Sequence, residues 1–147
     1  MFRGNHPTRV DDKGRLKLPS EFKRVAEEKN YGTKFFITSR DGKHAELYPM
    51  PEWEAYEKKL AAIPDMNPAK KKLMKWINYF GAEAEMDAQG RLLIPQVLRE
   101  EAKTVGDVVV VGNQTFLQVA NQVEFRQEMQ ENPLTAEDEV ALSELGL

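Results

Sequence analysis

The sequence predicts an α+β protein, mainly β, in which one small unit occurs twice. Three observations lead there: an ungapped internal match, short apolar runs bounded by turn residues, and amphipathic helical stripes lying between and after the two matched copies. The match aligns Asp11-Asp12-Lys13-Gly14-Arg15-Leu16-Lys17-Leu18-Pro19-Ser20-Glu21-Phe22-Lys23 on Asp87-Ala88-Gln89-Gly90-Arg91-Leu92-Leu93-Ile94-Pro95-Gln96-Val97-Leu98-Arg99. Asp, Gly, Arg, Leu and Pro are identical at matching places, and Ala26 continues the likeness against Ala102.

Each unit reads as loop, strand, short helix and hairpin. Asp-x-x-Gly-Arg is a turn, with Gly14 and Gly90 free to take the positive φ that other residues resist. The strand Leu16-Lys17-Leu18 stops at Pro19, and Ser20 offers an N-cap for a helical turn carrying Phe22, Val25 and Ala26; Pro95, Val97, Leu98 and Ala102 repeat the arrangement. An apolar strand follows in each copy, Phe35-Phe36-Ile37 and Val108 to Val111. The first returns through Asp41-Gly42 to Glu46-Leu47-Tyr48; the second is expected to turn at Gly112-Asn113 toward Phe116-Leu117-Gln118-Val119.

Between the copies Pro51 opens a helix with Trp53, Tyr56, Leu60 and Ile63 in one stripe. Asn67-Pro68 caps a second helix, which turns Leu73, Met74, Ile77 and Phe80 inward and Lys70, Lys71, Lys72 and Lys75 outward. The spacing places Trp53 and Trp76 on apolar stripes, suited to core or subunit packing rather than base stacking. Beyond the second copy, residues 121–131 read as a helix, and Thr135-Ala136-Glu137-Asp138 resembles a capping box before a short acidic helix in the segment most free to move. The resulting division is 1–50, first repeat; 51–82, connecting helices; 83–120, second repeat; 121–147, C-terminal helix and acidic tail.

Composition narrows the function. Without cysteine there is no disulfide framework and no thiolate metal site. Neither a signal-peptide core nor an apolar run of about 20 residues is present, so a cytoplasmic chain with no membrane partner is expected. The net charge is -3, but residues 1–80 hold 17 Lys and Arg against 11 Asp and Glu, whereas residues 81–147 hold 4 against 13. Such asymmetry fits either an anionic partner met mainly by the first half or halves that attract each other between subunits.

No enzyme is expected. His6 and His44 stand far apart, no Gly-x-Ser-x-Gly elbow or phosphate-binding glycine motif occurs, and Glu83, Glu85 and Asp87 read as a solvated strand face. The strongest polar feature is the doubled Asp11-x-x-x-Arg15 and Asp87-x-x-x-Arg91. Asp and Arg could simply brace a loop; a braced loop with a basic tip also positions a guanidinium for a phosphate or a guanine edge. Arg3, Arg9, Lys13, Lys17, Lys23 and Arg24 add charge around the first motif, whereas Gln89 and Leu93 replace Lys13 and Lys17 in the second. The lysines at 70–75 read as the wet side of a helix or as phosphate contacts.

Met1-Phe2-Arg3-Gly4, the paired Asp-x-x-Gly-Arg motifs, Arg91-Leu92-Leu93-Ile94-Pro95 with Leu98-Arg99, and Leu47-Tyr48-Pro49 with Glu52-Trp53 together resemble the MraZ family, over about residues 1–119. The resemblance implies two AbrB-like swapped-hairpin repeats forming one pseudo-two-fold barrel flanked by helices. It implies a nucleoid-associated regulator, usually a repressor, that binds direct repeats of double-stranded DNA in the promoter of the cell-division and cell-wall gene cluster as a ring-shaped homo-oligomer. The implied DNA-binding residues are Arg3, Asp11, Lys13, Gly14 and Arg15, with Asp87, Gly90 and Arg91 as second-copy counterparts; no cofactor, metal or small-molecule substrate is implied. Phe116-Leu117-Gln118-Val119-Ala120 departs from the family, which commonly carries an acidic residue and a Trp there. The alternative from another class is a protein-binding adaptor or assembly module without specific DNA recognition.

Overall fold

The computed structural model describes residues 1–147, and eight antiparallel strands in the order β5-β3-β4-β8-β7-β1-β2-β6 curl into a nearly closed barrel. The strands are β1 (Asn5–Val10), β2 (Arg15–Lys17), β3 (Lys34–Thr38), β4 (Ala45–Pro49), β5 (Ala82–Glu85), β6 (Arg91–Leu93), β7 (Gly106–Asn113) and β8 (Phe116–Asn121). Six helices flank them: α1 (Ser20–Glu28), α2 (Met50–Ala61), α3 (Pro68–Phe80), α4 (Gln96–Glu101), α5 (Gln122–Glu131) and α6 (Ala136–Glu144).

The repeats interlock rather than sit side by side. The first strand of each unit pairs with the third strand of the other, β1 on β7 and β5 on β3. The remaining strands meet their own counterparts, β2 on β6 centred on Leu16 opposite Leu92, and β4 on β8 centred on Glu46 opposite Gln118. A pseudo-two-fold axis therefore runs through these two crossings. Leu16, Leu92, Leu47 and Leu117 turn inward at the crossings and join Phe2, Phe22, Phe35, Ile37, Leu98, Val108 and Val110 in one core. Because each half lends strands to the other, neither can close its core alone.

Most expected elements are present, with informative departures. Strand β1 was not legible, because Asn5-His6-Pro7-Thr8-Arg9 has no apolar alternation; it forms by laddering against the Val-rich β7. Ser20 is not the N-cap of α1: Pro19 holds that place, and its carbonyl accepts from Phe22 and Lys23 N–H at 3.0 Å each. Gly112-Asn113 is not the second hairpin turn either. The chain reverses at Gln114 and Thr115, with Gln114 at φ +61°, while Gly112 lies within β7 because the N-terminus crosses there. A Cβ on Gly112 would come within 2.6 Å of the Arg3 nitrogen and the Phe2 carbonyl carbon.

The connecting helices cover the β3 and β4 side. Asn67 caps α3 by accepting from the Ala69 and Lys70 N–H groups, as its sequence predicts. Trp53, Leu60, Ile77 and Tyr48 form a second apolar cluster, in which Trp53 stacks on Phe36 at 4.4 Å. Three expected orientations change. Ile63 falls beyond the end of α2 and is exposed, Met74 sits at the rim, and Lys70 folds back onto Asp65 and the Ile63 carbonyl instead of facing water. Asn121 caps α5, and the Thr135–Asp138 capping box opens α6.

Candidate nucleic-acid interface

The two Asp-x-x-x-Arg loops have nearly identical geometry. In the first, one Asp11 oxygen accepts from the N–H groups of Lys13 (3.0 Å) and Arg15 (2.8 Å), and the other accepts from Arg15 Nε at 2.8 Å. In the second, Asp87 accepts from Gln89 N–H (2.9 Å), Arg91 N–H (2.9 Å) and Arg91 Nε (2.8 Å). The backbone N–H of each Arg, more than any other group, holds the carboxyl of its Asp below the usual carboxylate range; partial desolvation opposes this, and the guanidinium reinforces it. Bracing by Asp and Arg is thus the observed local role. It engages only Nε, and the η nitrogens of Arg15 and Arg91 have no partner within the chain.

Pairing of β2 with β6 places both loops on one ribbon. Reciprocal bonds fasten each loop to the other unit: Ile94 N–H donates to the Gly14 carbonyl (2.8 Å), and Leu18 N–H donates to the Gly90 carbonyl (2.9 Å). Gly14 and Leu18 are four residues apart on an extended strand, so the loops bracket the ribbon about 13 Å from each other. With Leu16 and Leu92 buried, Arg15, Lys17, Arg91 and Leu93 fall on the outer side of the same pair.

Side chains from one unit buttress the loop of the other. The Arg99 guanidinium lies against Gly14, where a Cβ would come within 2.5 Å of Cζ, and its Nε donates to the Ile94 carbonyl at 3.0 Å. Its counterpart Lys23 approaches Gly90, and Lys17 Nζ donates to the Gln89 carbonyl. The charge that gathers around the first motif in sequence is therefore shared between the two loops. Lys17 and Lys23 of the first copy stand at the second loop, while Arg99 of the acidic half stands at the first. Sequence reading noted Arg99 only as part of a matching motif; the pairing of Lys23 with Arg99 in the repeat alignment is the signal that could have marked it.

Not every candidate joins this surface. Arg3 lies at the far end of β1, eight residues from Asp11 and so about 26 Å away along an extended chain. Glu83 and Glu85 are exposed on β5, which places them on the outer side of the barrel. Two polar clusters were not foreseen. Buried Glu46 takes a double ion pair from Arg40, with Nη2 at 2.6 Å, and a hydrogen bond from the Tyr48 hydroxyl at 3.2 Å. His44 is held between Asp41 (2.6 Å from Nδ1) and Glu128 of α5 (2.8 Å from Nε2). The hydrogen bond to Asp41 raises its pKa to about 9; burial works against this, and Glu128 adds to it.

Fold and site together define a class: an internally duplicated swapped-hairpin barrel whose two braced loops share one cationic ribbon. The family model described as "MraZ protein, putative antitoxin-like" matches residues 1–75 and 81–144. The chain is 65% identical to the transcriptional regulator MraZ of Acidobacterium capsulatum over 147 residues, covering the whole of both chains. It is 53% identical, again over the full length of both, to that of Koribacter versatilis. It is 37% identical over 120 residues to that of Syntrophobacter fumaroxidans, covering 82% of this chain and 79% of the relative. This chain belongs to the MraZ family, whose named relatives are transcription regulators rather than enzymes. No helix is long and apolar enough to cross a membrane.

Proposed function

We propose that this protein is a sequence-specific, DNA-binding transcription regulator, acting as a repressor of the cell-division and cell-wall gene cluster. It would work in the cytoplasm on the nucleoid, as a ring-shaped homo-oligomer on promoter direct repeats. The observation that carries the reading is the β2–β6 pair at the end of the sheet, which brings two braced loops and their cations to one outer face. The pair ends in guanidinium groups held by Nε, with their η nitrogens free. In this reading Arg15 and Arg91 contact DNA, while Asp11, Asp87, Gly14 and Gly90 hold the loops in shape. Lys13 adds a phosphate contact, and Arg3 an outlying one. The repeats 1–50 and 83–120 act as halves of one barrel, linked by residues 51–82 and followed by 121–147.

One ribbon has few cations and binds weakly at physiological salt, so affinity comes from repetition across neighbouring subunits. The test is a gel-shift titration at two salt concentrations, with the protein's own upstream DNA, a one-repeat probe, and a probe with half a helical turn inserted between repeats. The upstream DNA should bind far more tightly than either altered probe. Equal binding of all three would overturn the array reading, and no binding would overturn the function.

A further inference from the structure

Folding leaves one large apolar side chain in the open on the cationic face. Among residues 11–17 and 87–93, Leu16 and Leu92 are fully buried, whereas Leu93 is 56% exposed. A lone exposed leucine is ordinary on most surfaces. This one stands where the fold has gathered guanidinium and ammonium groups.

The strand register fixes its place. Arg15 faces Leu93 across the β2–β6 pair, and Lys17 faces Arg91, all four on the outer side. Directly opposite residues hold their Cβ atoms about 5 Å apart, so Leu93 stands beside the stem of Arg15, the guanidinium that Asp11 holds by Nε. The pseudo-two-fold axis maps Arg15 onto Arg91 but Lys17 onto Leu93. The two ends of the face therefore differ in chemistry. Lys17 and Lys23 stand at the Arg91 end, both suited to phosphate, whereas an isobutyl group stands beside Arg15.

We propose that Leu93 is a specificity-determining residue, which packs on the 5-methyl group of a thymine next to the base pair contacted by Arg15. This assignment rests on the DNA-binding reading and names a base for one part of the face. The thymine methyl is the one apolar group that a base pair presents in the major groove, so it is the base feature that gains by covering a leucine. A cation in the same place, such as Lys17 at the other end, gains nothing from a methyl group. Removing one buried methyl from the contact weakens binding roughly fourfold.

The test is a gel-shift titration with the protein's own upstream DNA, carrying uracil for thymine at one position of every repeat, taken position by position. Uracil pairs as thymine does and lacks only the methyl group. The wild type should lose at least roughly fourfold in affinity at one such position. Leu93→Ala should bind the thymine probe about as weakly as the wild type binds that uracil probe, and should not distinguish the two. Leu93→Lys, which restores the match to Lys17, should also be blind to the methyl group, while its affinity falls more steeply with salt, by about one unit of slope per contact. Urea midpoints of both variants report separately on the fold, and either variant alone decides the outcome. Two results would overturn the proposal: no uracil position that weakens the wild type, or a sensitive position that stays sensitive in a folded Leu93 variant. Failure of the wild type to bind the thymine probe at all would instead overturn the DNA-binding reading, so the two fail separately.

Discussion

Gly14 and Gly90 occupy equivalent loop positions, yet Ala should be tolerated at them unequally. Both have positive φ, +84° and +75°, so each Ala variant carries the left-handed backbone cost of about 1–2 kcal/mol. Their surroundings differ. At Gly90 the nearest atom to a new Cβ is Lys23 Cδ at 3.7 Å, an ordinary contact. At Gly14 the Cβ would come within 2.5 Å of Arg99 Cζ, so the guanidinium must leave and its Nε bond to the Ile94 carbonyl breaks. That bond is worth about 0.5–1.5 kcal/mol net, because the displaced guanidinium regains water. Urea denaturation should therefore show Gly14→Ala as the worse of the two by roughly that amount. In an Arg99→Ala background the gap should close, which a double-mutant cycle reads directly as coupling between residues 14 and 99. Equal destabilisation by Gly14→Ala and Gly90→Ala, or a gap that survives Arg99→Ala, would refute the buttress. Should the displaced Arg99 also contact phosphate, the salt slope of DNA binding would fall by about one unit in Gly14→Ala and stay unchanged in Gly90→Ala.

Other expected outcomes separate bracing from contact. Arg15→Ala should abolish most specific binding in gel shift yet leave the circular dichroism spectrum unchanged, since Asp11 keeps its two backbone N–H donors; Arg91→Ala should have the smaller effect. Asp11→Ala removes the anchor of the turn and should lower the denaturation midpoint even without DNA, since the Lys13 and Arg15 N–H groups lose their acceptor. Gly112→Ala meets backbone rather than a movable side chain, so it should release the N-terminal strap carrying Phe2 and Arg3, seen as faster amide exchange there. The His44 cluster sets a pH window: a group raised from 6.5 to about 9 contributes fully below pH 6.5 and loses that contribution as the pH climbs through 9. Asp41, held below its ordinary 3.8 because its bonds from the His44 ring and from the Lys43 and His44 N–H groups outweigh burial, loses its share only in acid. Thermal melts should show wild type above His44→Gln by up to ~3 kcal/mol near pH 6, the difference fading by pH 10; a constant difference would exclude the charged His44.

What was legible in the sequence was local or repeated. The Asp-x-x-Gly-Arg turns, the Asn67 cap and the capping box at Thr135 are decided within a few residues, and the structure places each of them as read. The doubled motif also gave the swapped-hairpin barrel through its family resemblance. What escaped was whatever depends on a distant partner. Strand β1 owes its existence to β7, Gly112 to the crossing N-terminus, and the His44 cluster to Glu128, 84 residues on. Pairing over such distances leaves no periodicity in either segment.

The charge distribution shows why interlocking matters for the site. Along the chain, cations gather in the first half and carboxylates in the second, which assigns any anionic partner to the first copy. Folding redistributes them. Because β2 pairs with β6, Lys17 faces Arg91 across the ribbon, and Arg99 is carried to the first loop. Glu83 and Glu85 stay with β5, beside β3, and the acidic α6 hangs from the end of the chain. The site is therefore a product of the crossing strands: separating the halves would leave each loop without the buttress and the backbone bond that the other unit supplies. A surface built this way has one geometry for two loops, and a change in the ribbon that carries them reaches both at once, because each loop is fastened and buttressed by residues of the other unit.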